Sequence, residues 1–288
     1  MKDLNYELKL LCQRNRDGSY ATQHAREDIL TQIANQLHAL GFKDMKATSL
    51  KPKHVTGLVE HWKSQSLSAG TIKNRMTVLR WWAEKVNKEN VMARDNDNYG
   101  IARRTYVTNL NQSRSLTAGD LAKVTDPYTQ LSLKLQAAFG LRREESIKIR
   151  PAWADGGDRI TLQASWTKGG REREIPIRNE QQRNVLDEAR QLAGKGSLIP
   201  SDRTYVQQLQ RFRSQCQSAG IWHVHGHRHH YAQDRYRELT GWLCPAQGGP
   251  TSKQLSLEQK CLDHKARLTI SKELGHGRVN IVSVYCGK

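Results

Sequence analysis

The stretch 274–288 reads LGHGRVNIVSVYCGK, and in it Tyr285 follows the step Gly275-His276 by nine residues. A tyrosine near the end of a chain is usually a packing residue whose hydroxyl reaches solvent. The upstream sequence, however, supplies histidines and arginines that suit a tyrosine nucleophile. Tyr285 is therefore a candidate nucleophile, and the residues that would serve it lie upstream.

The composition of the chain is strongly basic. Its 288 residues include 46 Lys and Arg against 28 Asp and Glu, a formal net charge of +18, and the excess is spread over both halves. Such a charge works against a compact fold unless a polyanion neutralises it, so nucleic acid is the expected partner. The length suffices for two domains, each with its own core.

Cysteine usage and hydropathy point away from several classes of protein. The five cysteines are scattered and never form a C-x-x-C pair, which indicates reduced thiols rather than a disulfide framework or a zinc ribbon. No apolar run approaches the roughly 18 residues of a membrane span, and the polar N-terminus does not resemble a signal peptide. The sequence therefore predicts a cytoplasmic, nucleoid-associated protein with no role at a membrane.

Helical periodicity dominates the first part of the chain. Apolar residues at helical spacing predict helices over about 24–40, 52–65 and 69–88. On the third helix, Lys73, Thr77 and Arg80 lie beside the apolar stripe at positions i, i+4 and i+7 and could follow a phosphate backbone. An ordinary solvated face explains the same spacing equally well.

A change of composition suggests where the first domain ends. Between about 89 and 115 the helical pattern gives way to Asn, Asp, Arg and Gly, which is typical of a linker. We place the domain boundary near residue 112. This predicts a helical DNA-binding domain with its linker over 1–112 and a second domain over 113–288.

The second domain mixes helices with one predicted hairpin. Thr117 and Asp120 resemble a capping box, and further helices are expected up to Phe139, over 180–193 and over 204–219. Alternating polar and apolar residues over 159–163 and 173–177 predict a β-hairpin with Lys168 near its turn. The predicted fold is therefore mainly α, with a small antiparallel sheet in an α+β second domain.

Five histidines crowd the segment 222–231, WHVHGHRHHY. Metal binding would require further Cys or carboxylate ligands, which the neighbourhood lacks, and Arg228 would add a cation. Packing or capping of a helix start accounts for some of the histidines. Phosphate chemistry is the third interpretation, because an arginine offers a planar fork to two phosphate oxygens and an imidazole can donate or accept a proton beside it.

The charged residues favour phosphoryl transfer without a metal. That reaction requires cations on the phosphate oxygens, an acid for the leaving oxygen and a nucleophile. The carboxylates do not form a two-metal set, since Glu144 and Glu145 are adjacent and the others are scattered. The basic residues do form a plausible set, with Tyr285 as nucleophile: Arg142, Lys168, His225, Arg228 and His276.

Four short motifs resemble those of the tyrosine recombinases, the phage-integrase family. They are Gly140-Leu141-Arg142-Arg143-Glu144-Glu145 for the Gly-Leu-Arg-x-x-Glu box, Thr167-Lys168-Gly169 for the hairpin lysine, His225-Gly226-His227-Arg228-His229 for the His-x-Leu-Arg-His box, and Leu274-Gly275-His276 with Tyr285 for the ending. The motifs follow the family's order and cover about 116–285. The N-terminal helices are similar only in kind to the family's core-binding domain.

The resemblance implies a role for each motif residue. Arg142 and Arg228 would clamp the scissile phosphate, supported by Glu145, and Lys168 would protonate the 5′-oxygen. His225 and His276 would hydrogen-bond the phosphate or assist proton transfer. Tyr285 would attack the phosphorus, giving a 3′-phosphotyrosyl link and a free 5′-hydroxyl. The link keeps the bond energy, so neither a metal nor ATP is implied as a cofactor.

The implied function is that of a site-specific recombinase, the integrase of a mobile element or prophage. Its partners would be double-stranded DNA attachment sites, bound by a tetramer of protomers on synapsed DNA, with accessory DNA-bending proteins. Two alternatives remain open. One is a nickase like the type IB topoisomerases, which shares the chemistry, and the other is a non-cutting DNA-binding protein with the same fold.

Three features depart from the family's pattern. His227 replaces the usual leucine and, if buried, requires a polar partner. The segment 240–267 is longer than usual and rich in Gly, Pro, Gln and Lys, and we interpret it as an inserted, mobile loop. Only three residues follow Tyr285, where many members have a further helix that docks on a neighbouring protomer.

Overall fold

The computed structural model describes residues 3–288, and α-helices dominate it. This part of the chain contains thirteen α-helices and one two-stranded antiparallel sheet, which confirms the mainly α fold with a small sheet. It divides into two compact units, the first ending at Thr105 and the second running from Tyr106 to Lys288. None of the helices in 3–288 is long and apolar enough to cross a membrane.

The first unit is built from helices with well-defined starts. They are α1 (Asp3–Arg14), α2 (Tyr20–Ala39), α3 (Pro52–Ser64) and α4 (Ala69–Lys85). Ser19 and Ser68 precede α2 and α4, and their hydroxyls accept backbone N–H bonds from the first turn of each helix. The three helices expected in this region are thereby confirmed. The pattern does not predict α1, which buries only Leu4 and Leu8.

Two tryptophans anchor the core of the first unit. Trp62 and Trp82 have no exposed surface, and each indole N–H is satisfied, the first by the side-chain oxygen of Gln36 and the second by the carbonyl of Ala47. The segment after α4, predicted to be linker from residue 89, is in part folded onto this core. Ile101, in this segment, is buried in the core. Two short 3₁₀ turns, Glu89–Val91 and Asp97–Tyr99, fold the polar residues that precede it.

The second unit surrounds its sheet with helices. They are α5 (Ala118–Ala122), α6 (Pro127–Phe139), α7 (Arg143–Lys148), α8 (Pro151–Ala154), α9 (Glu180–Ala193), α10 (Tyr205–Ser218), α11 (Gly226–Thr240), α12 (Leu257–Glu273) and α13 (Ser283–Cys286). The strands β1 (Arg159–Leu162) and β2 (Arg173–Pro176) pair with Arg159 opposite Pro176. The predicted hairpin and the capping box of Thr117 with Asp120 are both confirmed.

The interpretation of 240–267 as an inserted loop is wrong in its second half. Residues from Leu257 onward form α12, which begins with a capping box in which Ser256 and Gln259 bind each other's backbone N–H groups. The irregular part is 241–256, with a short 3₁₀ turn at Pro245–Gln247. The Gly and Pro residues that suggested a loop all precede α12, whereas the helix itself is polar on much of its surface.

The core of the second unit lies between the sheet and helices α6, α9, α11 and α12. It includes Phe139, Ile160, Tyr236 and Ile270, none of which has exposed surface. Tyr285 belongs to the same apolar cluster through α13. The segment that carries the candidate nucleophile is therefore part of the core and not a loose end.

Gly140→Ala should destabilise the protein more than Gly241→Ala. Both glycines end helices with positive φ, +61° and +86°, so each change carries about 1–2 kcal/mol of backbone strain. At Gly140 a Cβ would also lie 2.6 Å from Cδ1 of Tyr231, adding about 1–3 kcal/mol of overpacking. At Gly241 it would meet no described atom within 4 Å. Urea denaturation measures both losses, and equal losses would contradict this packing.

Candidate active site

Arg228 is a fully buried charge of the candidate site. It lies in the first turn of α11 and has no exposed surface. Its Nη1 donates to the carbonyl of Gly140, its Nη2 to the carbonyl of Leu274, and its Nε to the hydroxyl of Tyr285 at 3.2 Å. Burial lowers the pKa of Arg228 to about 10, which leaves the guanidinium charged at neutral pH.

The hydroxyl of Tyr285 lies between one donor and one acceptor. Nε of Arg228 donates to it, and Nε2 of His276 lies 3.1 Å away. Nη2 of Arg228 also points at this Nε2, at 3.4 Å, and an arginine can only donate. Nε2 therefore carries the lone pair and accepts a hydrogen bond from the hydroxyl of Tyr285. These two contacts hold the hydroxyl in one orientation.

His276 and His225 are both neutral at pH 7. Burial, followed by the charges of Arg228 and Arg142, lowers the pKa of His276 to about 3. The pKa of His225 falls to about 4, through partial burial and then the charges of Arg228, His229 and Arg142, although the residue keeps exposed surface. The ring centre of His225 lies 6.0 Å from that of Tyr285.

Arg142 reaches the site from the start of α7, where Glu145 holds it. Glu145 has no exposed surface and accepts from both Nη1 and the backbone N of Arg142, each at 2.7 Å. Burial alone would raise the pKa of Glu145, but the bonds and charges of Arg173 and Arg142 outweigh it and lower the pKa to about 2. Arg142 itself is about one-fifth exposed, at 21% of its side-chain surface.

Arg173 joins this group although no motif contains it. Its two Nη atoms donate to the two oxygens of Glu145, at 2.8 and 2.7 Å, and its Nε donates to the carbonyl of Glu273 at 3.0 Å. A signal for it exists in the sequence. The period of two in β2 places Arg173 on the same face as the buried Ile175, where an unpaired charge would not be expected.

Two further histidines of the 222–231 segment are buried. Nδ1 of His227 lies 2.9 Å from the carbonyl of Arg114, which provides the polar partner that this position requires. The ring centre of His229 lies 4.8 Å from that of Tyr285, so His229 packs directly on the candidate nucleophile. Packing against a helix start therefore describes these two residues.

Lys168 is not brought to the site. It lies exposed in the loop between β1 and β2 and forms no hydrogen bond or ion pair with any described residue. The structure thus gathers Arg142, His225, Arg228, His276 and Tyr285, with Glu145, around one hydroxyl. Across residues 3–288 no three His, Cys, Asp or Glu side chains converge as metal ligands would.

The row predicted to bind DNA lies on α4 of the first unit. Lys73 is half-buried, and the hydroxyl of Thr77 bonds to the carbonyl of Lys73 at 3.0 Å. Arg80 is directed to its own unit, because its Nη2 donates to the carbonyl of Ala93 and to the side chain of Asn96. The three residues thus share a helix face but not the same surroundings.

Two family models match the sequence. A model described as the N-terminal part of phage integrases matches residues 1–91, and one described as integrase matches residues 102–234. No curated protein sequence matches the chain.

Solved structures with a similar fold include three DNA complexes. A lambda integrase dimer bound to a COC′ core site is 13% identical, with a TM-score of 0.62 over 96% of this chain and 76% of that one. The Tn1549 transposon integrase with circular intermediate DNA is 14% identical, with a TM-score of 0.55 over 99% and 95%. The XerH site-specific recombinase bound to a palindromic difH substrate is 14% identical, with a TM-score of 0.56 over 98% and 80%. At such identities the likeness shows the fold.

The stability of the DNA-free protein should fall as pH decreases below 6.5, in part through His276. In the unfolded chain an imidazole binds a proton near pH 6.5, whereas the pKa of His276 is about 3 in the folded protein. The unfolded state therefore binds more protons in this window, and the free energy of unfolding declines. His276→Gln should make the decline shallower.

Urea denaturation between about pH 6.5 and 4.5 tests this dependence, since Glu145 keeps its charge there. His264→Gln, a change at an exposed histidine of α12, should leave the slope as in the wild type. An unchanged slope in His276→Gln would contradict the neutral, half-buried imidazole.

Proposed function

The chain belongs to the phage integrase family of tyrosine recombinases, and from this membership and the geometry of its site we propose that it cuts and rejoins DNA strands site-specifically through a 3′-phosphotyrosyl intermediate. One observation carries the proposal. The hydroxyl of Tyr285 is held between the donor Nε of Arg228 and the acceptor Nε2 of His276. A tyrosine that served only packing would have no need of both.

The proposed first step exchanges one phosphoester bond for another. Oη of Tyr285 bonds to phosphorus, its proton passes to Nε2 of His276, and the bond from phosphorus to the 5′-oxygen breaks. Lys168 would protonate that oxygen. Because Lys168 lies in an exposed loop of the free protein, the proposal requires that bound DNA and this loop come together. A 5′-hydroxyl of a partner strand then reverses the step.

The charge that develops on the phosphate would be met by arginines. Arg142 and Arg228 supply two positive charges beside Tyr285, which is the electrostatic role that metal ions have in other phosphoryl transfers. His225 would add a hydrogen bond to the phosphate. The set therefore contains a nucleophile, a proton acceptor and the cations for one transesterification, and the proposal includes no cofactor.

The proposed substrate is double-stranded DNA that carries attachment sites. The net charge of +18 supports this, and the relatives of known structure were solved on DNA, among them a lambda integrase tetramer bound to a Holliday junction. For this chain we propose a tetramer on synapsed DNA, assisted by DNA-bending proteins. Residues 1–112 would form the core-binding domain with its linker, and 113–288 the catalytic domain.

Tyr285→Phe should abolish a covalent protein–DNA complex. The substrate would be a nicked duplex with a bridging phosphorothiolate at the attachment site, which can be found by selecting tight binders from a random-sequence pool. Denaturing electrophoresis after incubation with chelator measures the DNA-linked band. Tyr236→Phe is the control, since it removes another buried hydroxyl of the same unit, one that bonds Asp263.

The other outcomes separate the alternatives. A band that persists in Tyr285→Phe would place the nucleophile elsewhere. Tight binding without a band from the wild type would indicate a non-cutting DNA-binding protein. Relaxation of supercoiled DNA without strand exchange would indicate a nickase like the type IB topoisomerases.

Lys73→Ala should weaken DNA binding, whereas Arg80→Ala should lower the stability of the protein. Lys73 has no internal ion pair among the described residues, so its loss should weaken DNA binding and reduce the salt slope of log K by about 1. Arg80→Ala removes the bonds to Ala93 and Asn96 and should cost about 1 kcal/mol of stability. Salt titration of binding and urea denaturation measure the two effects. If Lys73→Ala leaves the salt slope unchanged, α4 does not contact the backbone through this residue.

A further inference from the structure

Arg173 is a buried arginine that the proposed reaction does not use. It begins β2, and only 6% of its side chain is exposed. A buried guanidinium is costly unless its N–H groups find acceptors, and all three of its nitrogens donate to protein oxygens. The acceptors belong to two segments far apart in the chain, Glu145 in α7 and Glu273 at the end of α12.

The first attachment makes Arg173 share a carboxylate with Arg142. Each oxygen of Glu145 accepts one N–H from each arginine: Oε1 from the Nη1 atoms of both, and Oε2 from Nη2 of Arg173 and the backbone N of Arg142. Glu145 has no exposed surface, so water cannot replace a lost donor. Without Arg173 the carboxylate would retain half of its bonds and favour the protonated form, which binds Arg142 less tightly.

The second attachment reaches the segment that carries His276. Nε of Arg173 bonds the carbonyl of Glu273, and the next carbonyl, that of Leu274, is bound by Arg228. Gly275 follows with φ +65°, and a Cβ there would lie 2.9 Å from Cδ and Nη1 of Arg173. The turn into His276 therefore lies directly against the Arg173 side chain.

We propose that Arg173 is a positioning residue of the DNA transesterification, which fixes Arg142 through Glu145 and His276 through the end of α12. This inference rests on the proposed function. Arg173 touches neither the nucleophile nor the place of the phosphate, and it acts by holding the groups that do. Its location on β2, five residues after Lys168, makes the hairpin the third segment that it secures.

The test compares Arg173→Met with Arg159→Met in the full chain. Both changes remove an arginine of the hairpin, but Arg159 is exposed and pairs with Asp158 and Glu174 at the surface. Arg173→Met should slow single-turnover formation of the covalent DNA complex by about 10²-fold, the usual effect of displaced catalytic groups. Arg159→Met should react at the wild-type rate. A wild-type rate in Arg173→Met overturns the proposal.

The pH profile separates positioning from a general loss of structure. Glu145 is faced by Arg142 from α7, Arg173 from β2 and Arg228 from α11, with His225 and His276 nearby. Loss of Arg173 removes the largest stabilising partner of the carboxylate, so its pKa rises. The acid limb of the cleavage profile should therefore move to higher pH in Arg173→Met. A uniform loss of rate at every pH would contradict an action through Glu145.

A double-mutant cycle with Glu145→Gln completes the test and guards against misfolding. A neutral glutamine beside methionine leaves no unpaired buried carboxylate, so the double variant should fold even if Arg173→Met is unstable. If Arg173 acts through Glu145, the loss of rate in the double variant should be smaller than the sum of the two single losses, with the remainder due to the bond from Arg173 to the carbonyl of Glu273. Fully additive losses would show that Arg173 does not act through Glu145 and would overturn the proposal.

Hydrogen exchange distinguishes this proposal from the proposed function. The backbone N–H of Arg142 donates to Glu145, so exchange in the peptide around 140–148 should be slow in the wild type and faster in Arg173→Met. This readout requires no cleavage. If the wild type forms no covalent complex, the proposed function is wrong. If hydrogen exchange is unchanged in Arg173→Met, the positioning role is wrong, whether or not the protein cleaves DNA.

Discussion

The charge of Arg228 is buried where two helices end, and the site of the second unit depends on that arrangement. The carbonyls that it binds, those of Gly140 and Leu274, belong to the C-terminal caps of α6 and α12. Carbonyls at a helix C-terminus lack intrahelical partners and carry partial negative charge, so they compensate a cation removed from water. The third bond, to Tyr285, orients the hydroxyl of the proposed nucleophile. Residues far apart in sequence converge because one guanidinium requires all three acceptors.

The site holds more positive charge than its own residues neutralise. Arg142, Arg173 and Arg228 surround a single buried carboxylate, Glu145. Repulsion among these charges destabilises the free protein, and a bound anion would relieve it. A site for phosphate is expected to show this trade of stability for function. The same excess keeps the histidines beside it neutral, since a further proton would add to the repulsion. Burial and these charges together therefore keep Nε2 of His276 unprotonated, so that it can accept a hydrogen bond from Tyr285.

How much of this the sequence predicts depends on the range of the interaction. Helical periodicity locates α2, α3 and α4, and alternation locates the hairpin, because both are local patterns. The motifs name the residues that gather around Tyr285, but not that Lys168 stays outside in the free protein. The sequence does not predict the role of Arg173, because its partners lie 28 and 100 residues away along the chain. The only local sign of its burial is that it lies on the same face of β2 as Ile175. The loop assigned to 240–267 fails for a similar reason, since tertiary contacts stabilise α12 despite its polar composition.

The two arginines of the proposed phosphate clamp, Arg142 and Arg228, differ in their hydrogen bonds and in their exposure, and this difference suggests different roles. Three N–H groups of Arg228 are bound by protein oxygens, and the guanidinium has no exposed surface, so it has little freedom to follow a substrate. Arg142 commits only one side-chain N–H, to Glu145, among the described residues, and about one-fifth of its surface is open. In the proposed reaction Arg142 would therefore present its planar fork to incoming phosphate oxygens, while Arg228 would fix the direction from which Tyr285 attacks. Two arginines in unlike surroundings would thus have different parts in the proposed reaction: the buried Arg228 holds Tyr285 in place, and the more exposed Arg142 is open to a phosphate.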